Sequence, residues 1–484
     1  MTPFVLSRLG TERFGIWALF FAFNGYLLSL DLGMGSTLIR YLASQRPQQN
    51  RRVLLRTLRG GILAAILLGS LWAVLIVLMR GWITTAFHVP SDTTREALAA
   101  LLVFALGVLL MFPAQATLAS LQGFERLDLS NLSLILGVTA QTIVLFAGLR
   151  DGGGLVMAAT AGVVGQAVAG LTSAVMLQRQ LRAIPRGEPV KGPAWREMMS
   201  FGAAFQFLGV LMVLQSQSGR IVLGLLGNLS MVAQYELAFR VANAVYNIPV
   251  LMQSAMVPTV ARVSASEGWG AVTALFTTAS RWIYLQTALM LGLLWVLAPD
   301  VVRVWLGPGH EPVGNMIRLW VVAYVLGLAY SPGVAIARGM GKPSIEIRCY
   351  AAGFVTSVLL AVLWVPRYGA AGAIAAGVGS FAVGFVVFFT FFRRRLDVPL
   401  GPWFVRELVP RAVAGTLAVV ITSALITAHP VAALLPPPGM MHAIIATLLF
   451  TVSFLLLFLP LGDTQRLARA LGQVLPGHGG VKSA

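Results

Sequence analysis

Thirteen apolar runs limit what this chain can become. They lie at about 14–37, 60–79, 97–121, 131–149, 155–177, 199–226, 235–258, 273–297, 317–337, 350–366, 370–392, 410–428 and 441–460. Each is close to or above the roughly 20 helical residues that cross about 30 Å of hydrocarbon. The residue-by-residue alternation of a membrane β-barrel is absent. A spanning helix satisfies all of its own backbone hydrogen bonds, so the reading is an all-α, polytopic membrane protein. Composition agrees, with 57% of residues hydrophobic and 11% charged, against about a quarter charged in soluble domains. The opening "MTPFVLSRLGTERFG" lacks the basic-then-apolar layout of a cleavable signal, which leaves insertion to the helices themselves.

The net charge of +18, from 35 Lys and Arg against 17 Asp and Glu, would suggest nucleic acid in a soluble protein. Here its placement along the chain decides its meaning. One alternating set of loops and flanks carries about 24 basic residues, including the Arg40–Arg59 cluster, "QRQLRAIPRGEPVKGPAWRE", "RGMGKPSIEIR", "RRRLDVPLGPWFVRELVPR" and the tail. The other set carries about 8, which assigns the first set to the cytoplasm. Nucleic acid is therefore not expected as a partner. Cys349 is the one cysteine, so no disulfide or paired-thiol motif exists within the chain. His88, His310, His429, His442 and His478 are scattered without ligand spacing, and neither a metal nor another cofactor is read.

Two stretches match one another. "LGTERFGIWALFFAFNGYLLSLDLGMGSTLIR" has Leu9-Gly10, then Phe14, then a helix reaching Arg40; "LGNLSMVAQYELAFRVANAVYNIPVLMQSAMVPTVAR" has Leu226-Gly227, then Tyr235, then a helix reaching Arg262. Internal repeats of this kind are common in transporters. The second copy follows a full helix, whereas only eight residues precede Leu9. The expectation is that the first bundle lacks its first helix in this chain. The alternative is a thirteen-span protein with its N-terminus outside. The domains read as an N-terminal bundle over 1–177 with five spans, a cytoplasmic linker over 178–198, a six-span C-terminal bundle over 199–392, and a trailing helix pair with its tail over 393–484.

With "SRLGTERFGIWAL", "LLSLDLGMGSTLIRYLA", "YELAFRVANAVYNIPVLMQSAMVPTVAR" and "ARGMGKPSIEIR", the chain resembles the polysaccharide transporters of the multidrug/oligosaccharidyl-lipid/polysaccharide exporter superfamily. The resemblance covers nearly the whole chain in layout. It implies two helix bundles related by a pseudo-twofold axis, as in the multidrug exporters, and alternating access. It also implies an undecaprenyl-diphosphate-linked O-antigen, capsule or exopolysaccharide unit as cargo. A bacterial inner-membrane location follows, with membrane lipids and a polysaccharide polymerase and chain-length regulator as potential partners.

Ionisable groups inside spans are costly, and each needs a reason. Glu236, Arg240, Asn243 and Asn247 fall at i, i+4, i+7 and i+11 on one helix face; Gln206, Gln217 and Arg220 share a face of the preceding helix. Arg220 and Arg240 each stand ten residues from Ser230 in the connecting turn, about 15 Å along a helix and so near mid-membrane. A guanidinium pair there suits a diphosphate, since each presents planar donors to phosphate oxygens. The competing reading is an internal Glu236–Arg240 pair, with Arg220 held by glutamines or snorkelling outward. Asp31, beside Gly33 and Gly35, is a candidate for ion coupling or for holding helices together. Arg281, with Thr277 and Tyr284 on its face, either joins the polar interior or reaches the cytoplasmic interface.

The rival classes are a lipid II flippase, a multidrug exporter, a membrane enzyme of polysaccharide assembly and a scaffold. The outside loops are short for an enzyme. "GMGKPS" departs from a P-loop, with Pro343 where Ser or Thr should follow Lys342. The chain is thus read as a transporter rather than an enzyme. Single-cysteine labelling in a Cys349→Ser background checks the orientation: positions in 178–198 and 393–411 should react only after the inner face is exposed, and positions 230 and 437 in intact cells. The reverse pattern refutes the cytoplasmic assignment of the basic loops.

Overall fold

The apolar runs become helices because lipid leaves backbone groups no other partner. The computed structural model describes residues 2–29, 31, 34–45, 51–185, 195–340, 344–396, 407–427 and 438–458. Gly33, His429, Pro437, His478, the 186–194 part of the linker and most of the basic 393–411 loop lie outside them, as does the side chain of Gln206. The described helices are α1 (Thr2–Ser29), α2 (Met34–Gln45), α3 (Arg51–Ala86), α4 (Ser91–Gly123), α5 (Leu127–Arg150), α6 (Gly154–Arg182) and α7 (Trp195–Leu226). They continue with α8 (Leu229–Ser266), α9 (Gly268–Leu306), α10 (Glu311–Gly339), α11 (Ser344–Leu396), α12 (Val409–Thr427) and α13 (Met440–Phe458). No strand occurs among the described residues.

Ten of these helices are long and apolar enough to cross a membrane. Their burial has the inverted pattern of a membrane protein. On α3 the exposed Leu63, Leu67, Leu71, Val74 and Leu78 follow one face, a stripe that water would penalise and hydrocarbon accepts. At the other extreme, 72% of the apolar window of α10 is buried, which makes α10 a central helix of its unit.

Two local features differ from the sequence expectation. The run at 14–37 is not one helix: α1 ends at Ser29, and α2 begins at Met34. Asp31 explains the restart, because its Oδ2 accepts the Gly35 N–H at 3.1 Å and its carbonyl accepts the Met34 N–H at 3.2 Å. This is an N-cap, which satisfies amides that the first helical turn leaves open. The arginine-rich segment is likewise not all loop, since Arg51, Arg52, Arg56 and Arg59 occupy the first turns of α3. That helix has 36 residues, about 54 Å at 1.5 Å each, so its basic end extends past a ~30 Å core. Runs 350–366 and 370–392 are, as expected, two helical parts, joined in α11 across a kink at Gly369, whose φ of 56° lies in the left-handed region.

Packing divides the chain into two compact units, Met1–Glu236 with Val365–Ala370, and Leu237–Trp364 with Ala371–Ala484. This division places α7 and the first turns of α8 with the first unit, later in the chain than the 177/199 boundary suggested by the repeat. In unit 1, α4 packs against α3 and α6, α6 against α5, and α1 against α7. In unit 2, α9 packs against α10, and the trailing helices α12 and α13 pack on each other and on α9. Phe450, Phe454 and Phe458 of α13 join Ala414 and Ala418 of α12 and Leu285 and Val296 of α9 in one apolar cluster.

Close helix approach in unit 1 depends on small residues. A Cβ on Gly15 of α1 would fall on the Leu229 carbonyl at the start of α8, whereas one on Gly162 of α6 meets nothing within 4 Å. Alanine adds up to about 1 kcal/mol of helix propensity over glycine, but overpacking costs about 1–3 kcal/mol. Gly15→Ala should therefore lower the thermal unfolding midpoint in detergent by several degrees, while Gly162→Ala leaves it unchanged or raises it. Equal midpoints for the two variants would refute this account of the α1–α8 contact.

Candidate functional site

Gln217, Arg220 and Glu236 come together in unit 1. The Arg220 Nε lies 2.9 Å from Glu236 Oε2, with the two side chains 3% and 4% exposed. Arg220 Nη1 donates to Gln217 Oε1 at 2.6 Å, one turn back on α7. The contact sets Glu236 against Arg220, a cation of the neighbouring helix that is almost fully buried. The α1 backbone closes on this cluster at Gly25, where a Cβ would stand 2.7 Å from Gln217 Nε2. Tyr26 of α1 and Tyr235 of α8 both lie within electrostatic range of Arg220. The result is a charge-paired, amide-supported knot at mid-helix depth.

The rest of the polar stripe on α8 continues in unit 2. Arg240 and Asn243 are half-buried and Asn247 is exposed. Asn243 Oδ1 accepts from Tyr324 Oη of α10 at 3.4 Å. Around this bond runs an aromatic ladder that sequence reading missed. Tyr246 stacks on Tyr324 with centroids 4.2 Å apart, Tyr324 on Trp320 at 5.2 Å, and Phe239 meets Trp320 edge-on at 5.4 Å. The signal was present, since Phe239, Asn243 and Tyr246 are at i, i+4 and i+7, and Trp320 and Tyr324 at i and i+4. Trp320 and Tyr324 are buried, so the ladder is a packed aromatic seam that joins α8 to α10.

Arg281 belongs to the interior of unit 2. It donates to both Glu407 oxygens, at 2.6 and 2.5 Å, and Arg411 Nη1 reaches Glu407 Oε2 at 2.9 Å. This triad fastens α9 to the start of α12. Tyr284, on the same face, donates to the Ala329 carbonyl at 2.5 Å and ties α9 to α10. Next to this triad, Tyr284, Trp295, Val325, Arg411, Gly415 and Val419 are among the residues lining a mainly apolar cavity of 560 Å³. Asp31 caps α2 as described, and so is placed by backbone chemistry. His442 Nδ1 lies 2.9 Å from Asp300 Oδ2, which ties the start of α13 to α9.

No curated protein matches the chain. Among solved structures, a multidrug resistance transporter of the MATE family in the MOP superfamily, in an inward-facing conformation, is 16% identical, with 82% of this chain and 93% of that one covered at a TM-score of 0.72. The lipid II flippase MurJ, in an inward closed conformation, is 13% identical, with 95% and 98% covered at a TM-score of 0.69. A MOP superfamily transporter from Pyrococcus furiosus, for which a reversed pocket polarity suggests a different function, is 16% identical, with 82% and 90% covered at a TM-score of 0.59. At these identities the likeness establishes the fold, which is that of multi-span membrane transporters. Residues 2–264 match the family of polysaccharide biosynthesis proteins, and with more than half of its length so matched, this chain belongs to that family.

Proposed function

We propose that this protein is a flippase that moves an undecaprenyl-diphosphate-linked oligosaccharide, an O-antigen, capsule or exopolysaccharide unit, across the bacterial inner membrane by alternating access. The basic loops and the C-terminus face the cytoplasm in this reading. A polysaccharide polymerase and a chain-length regulator act on the delivered cargo. The observation that carries the reading is the family match over residues 2–264 on a chain with a transporter fold. Site chemistry supports the cargo class. Arg220 and Arg240 supply permanent positive charge for a diphosphate. Asn243 and Asn247 suit a saccharide, and the apolar cavity beside Arg411 suits a polyprenyl chain. Glu236 acts as the counter-ion that holds Arg220 when no diphosphate is there to neutralise it, and Gln217 keeps the guanidinium in register.

The MATE likeness raises drug export as a second reading, but cationic drugs call for available acids. The described carboxylates nearest the polar helix faces are already committed: Glu236 to Arg220, Glu407 to Arg281 and Arg411, Glu346 to Arg338. A lipid II flippase shares the diphosphate logic and differs in its glycan.

Four variants separate cargo contact from structure. Arg240→Gln should impair export of the lipid-linked saccharide at unchanged protein level. Arg220→Gln leaves a buried carboxylate unpaired, a loss of about 3–5 kcal/mol, and should lower abundance as well. Adding Glu236→Gln removes the orphaned charge and should restore abundance but not export. Full export by the Arg220→Gln/Glu236→Gln protein would limit Arg220 to a structural role. Full export by a well-expressed triple variant that also carries Arg240→Gln would refute the diphosphate site.

A further inference from the structure

Unit 1 contains a cavity of 110 Å³ that the charged cluster does not use, lined among others by Trp17, Phe20 and Asn24 of α1, Phe104 of α4, Gln141 of α5 and Gln166 of α6. Its wall mixes amides with aromatic faces and holds no ionisable side chain. Gln141 lies 14 residues after Leu127 and nine before Arg150, the ends of α5, so it sits about 21 and 14 Å along the helix from them, deep in the hydrocarbon layer. Among the described residues, none of Asn24, Gln141 and Gln166 has a side-chain hydrogen-bond partner. Amides lining a cavity in a membrane-spanning bundle are costly unless water or a ligand answers them.

We infer that this cavity is a recognition pocket for the acetamido substituent of an N-acetylhexosamine in the cargo, an inference that rests on the lipid-linked saccharide reading above. Its neutrality rules out the diphosphate and a coupling cation as its ligand, because neither would find a compensating charge there. Its size fits one substituent rather than a whole glycan, being well below the 300–1,000 Å³ of pockets that enclose drug-sized molecules. The chemistry matches in both halves. An acetamido group has one N–H donor and one carbonyl acceptor, and a primary amide side chain supplies the complement of each. Its methyl group packs against aromatic faces such as those of Trp17, Phe20 and Phe104. A plain hydroxyl would satisfy part of the amide set and leave the aromatic wall unused. A site built to hydrogen-bond a group discriminates strongly against analogues that lack it.

The test uses the full-length protein in detergent with three probes: undecaprenyl diphosphate, the same lipid carrying N-acetylglucosamine, and the same lipid carrying glucose. Wild type should bind the N-acetylglucosamine lipid about tenfold more tightly than the glucose lipid, a ratio equivalent to about 1.4 kcal/mol. Gln141→Leu and Gln166→Leu should bring that ratio to near one while affinity for bare undecaprenyl diphosphate is unchanged. Gly162→Leu provides a second route, since Gly162 lines the cavity and a Cβ there meets nothing within 4 Å; it fills the pocket without a backbone clash and should abolish the preference in the same way. Equal binding of the two glycolipids by wild type, or a preference that survives both the Leu variants and the filled cavity, overturns the pocket while leaving the flippase reading intact. Binding of none of the three lipids overturns both.

Discussion

A charge inside hydrocarbon must find an opposite charge, and in this protein that requirement decides which helices touch. Arg220 and Glu236 join α7 to α8, Arg281 and Arg411 clasp Glu407 between α9 and α12, and Arg338 donates to Glu346 at 2.9 Å to tie α10 to α11. Near a helix end, Arg13 of α1 pairs with Glu96 of α4, which also accepts the first backbone amide of α6 at Leu155. Apolar surfaces alone give helices in lipid little preference for one partner over another, because lipid tails are as apolar as leucine. A paired charge is specific, since breaking it leaves its partner buried and uncompensated. The basic excess of the sequence, by contrast, collects where it can reach water, as at the start of α3.

The helices were legible in the sequence because their signal is local: length and apolarity within one run are sufficient. What the sequence did not yield was set by partners distant along the chain. Glu236 meets Arg220 of another helix, and nothing local to either residue announces that contact. Arg281 finds Glu407 after 126 residues, a separation no periodicity can encode. The α1–α2 break was harder still, because residues 14–37 are apolar almost throughout and only Asp31 marks the stop. Its side chain is short enough to accept the Gly35 amide, so what looked like a costly intramembrane acid serves as a cap. The aromatic ladder escaped for a different reason: aromatic residues at helical spacing signal a packed core, but the spacing does not say which helix they pack against.

Fold and cargo have to be argued separately in this family. The same backbone plan matches a multidrug resistance transporter at a TM-score of 0.72 and a lipid II flippase at 0.69, so architecture alone carries no information about what is moved. Side-chain chemistry has to carry that argument, and in this chain it is rich in arginine. Its carboxylates at polar helix faces are neutralised by arginine, while Arg240 continues the stripe of α8 beyond the Arg220–Glu236 pair.

Helix α1 links the two kinds of chemistry in unit 1. Successive residues on a helix point about 100° apart, so Asn24 can line the neutral amide cavity while Gly25, the next residue, abuts Gln217 of the charged cluster. Any axial rotation of α1 therefore moves both contacts at once. A side chain at position 25 would be driven into Gln217, so the close approach to Arg220's amide partner depends on glycine there, and the amide at position 24 is oriented by the same packing. The wall of the amide cavity and the packing against the buried arginine's amide partner are thus mechanically joined through one helix, and the Asp31 cap starts the next.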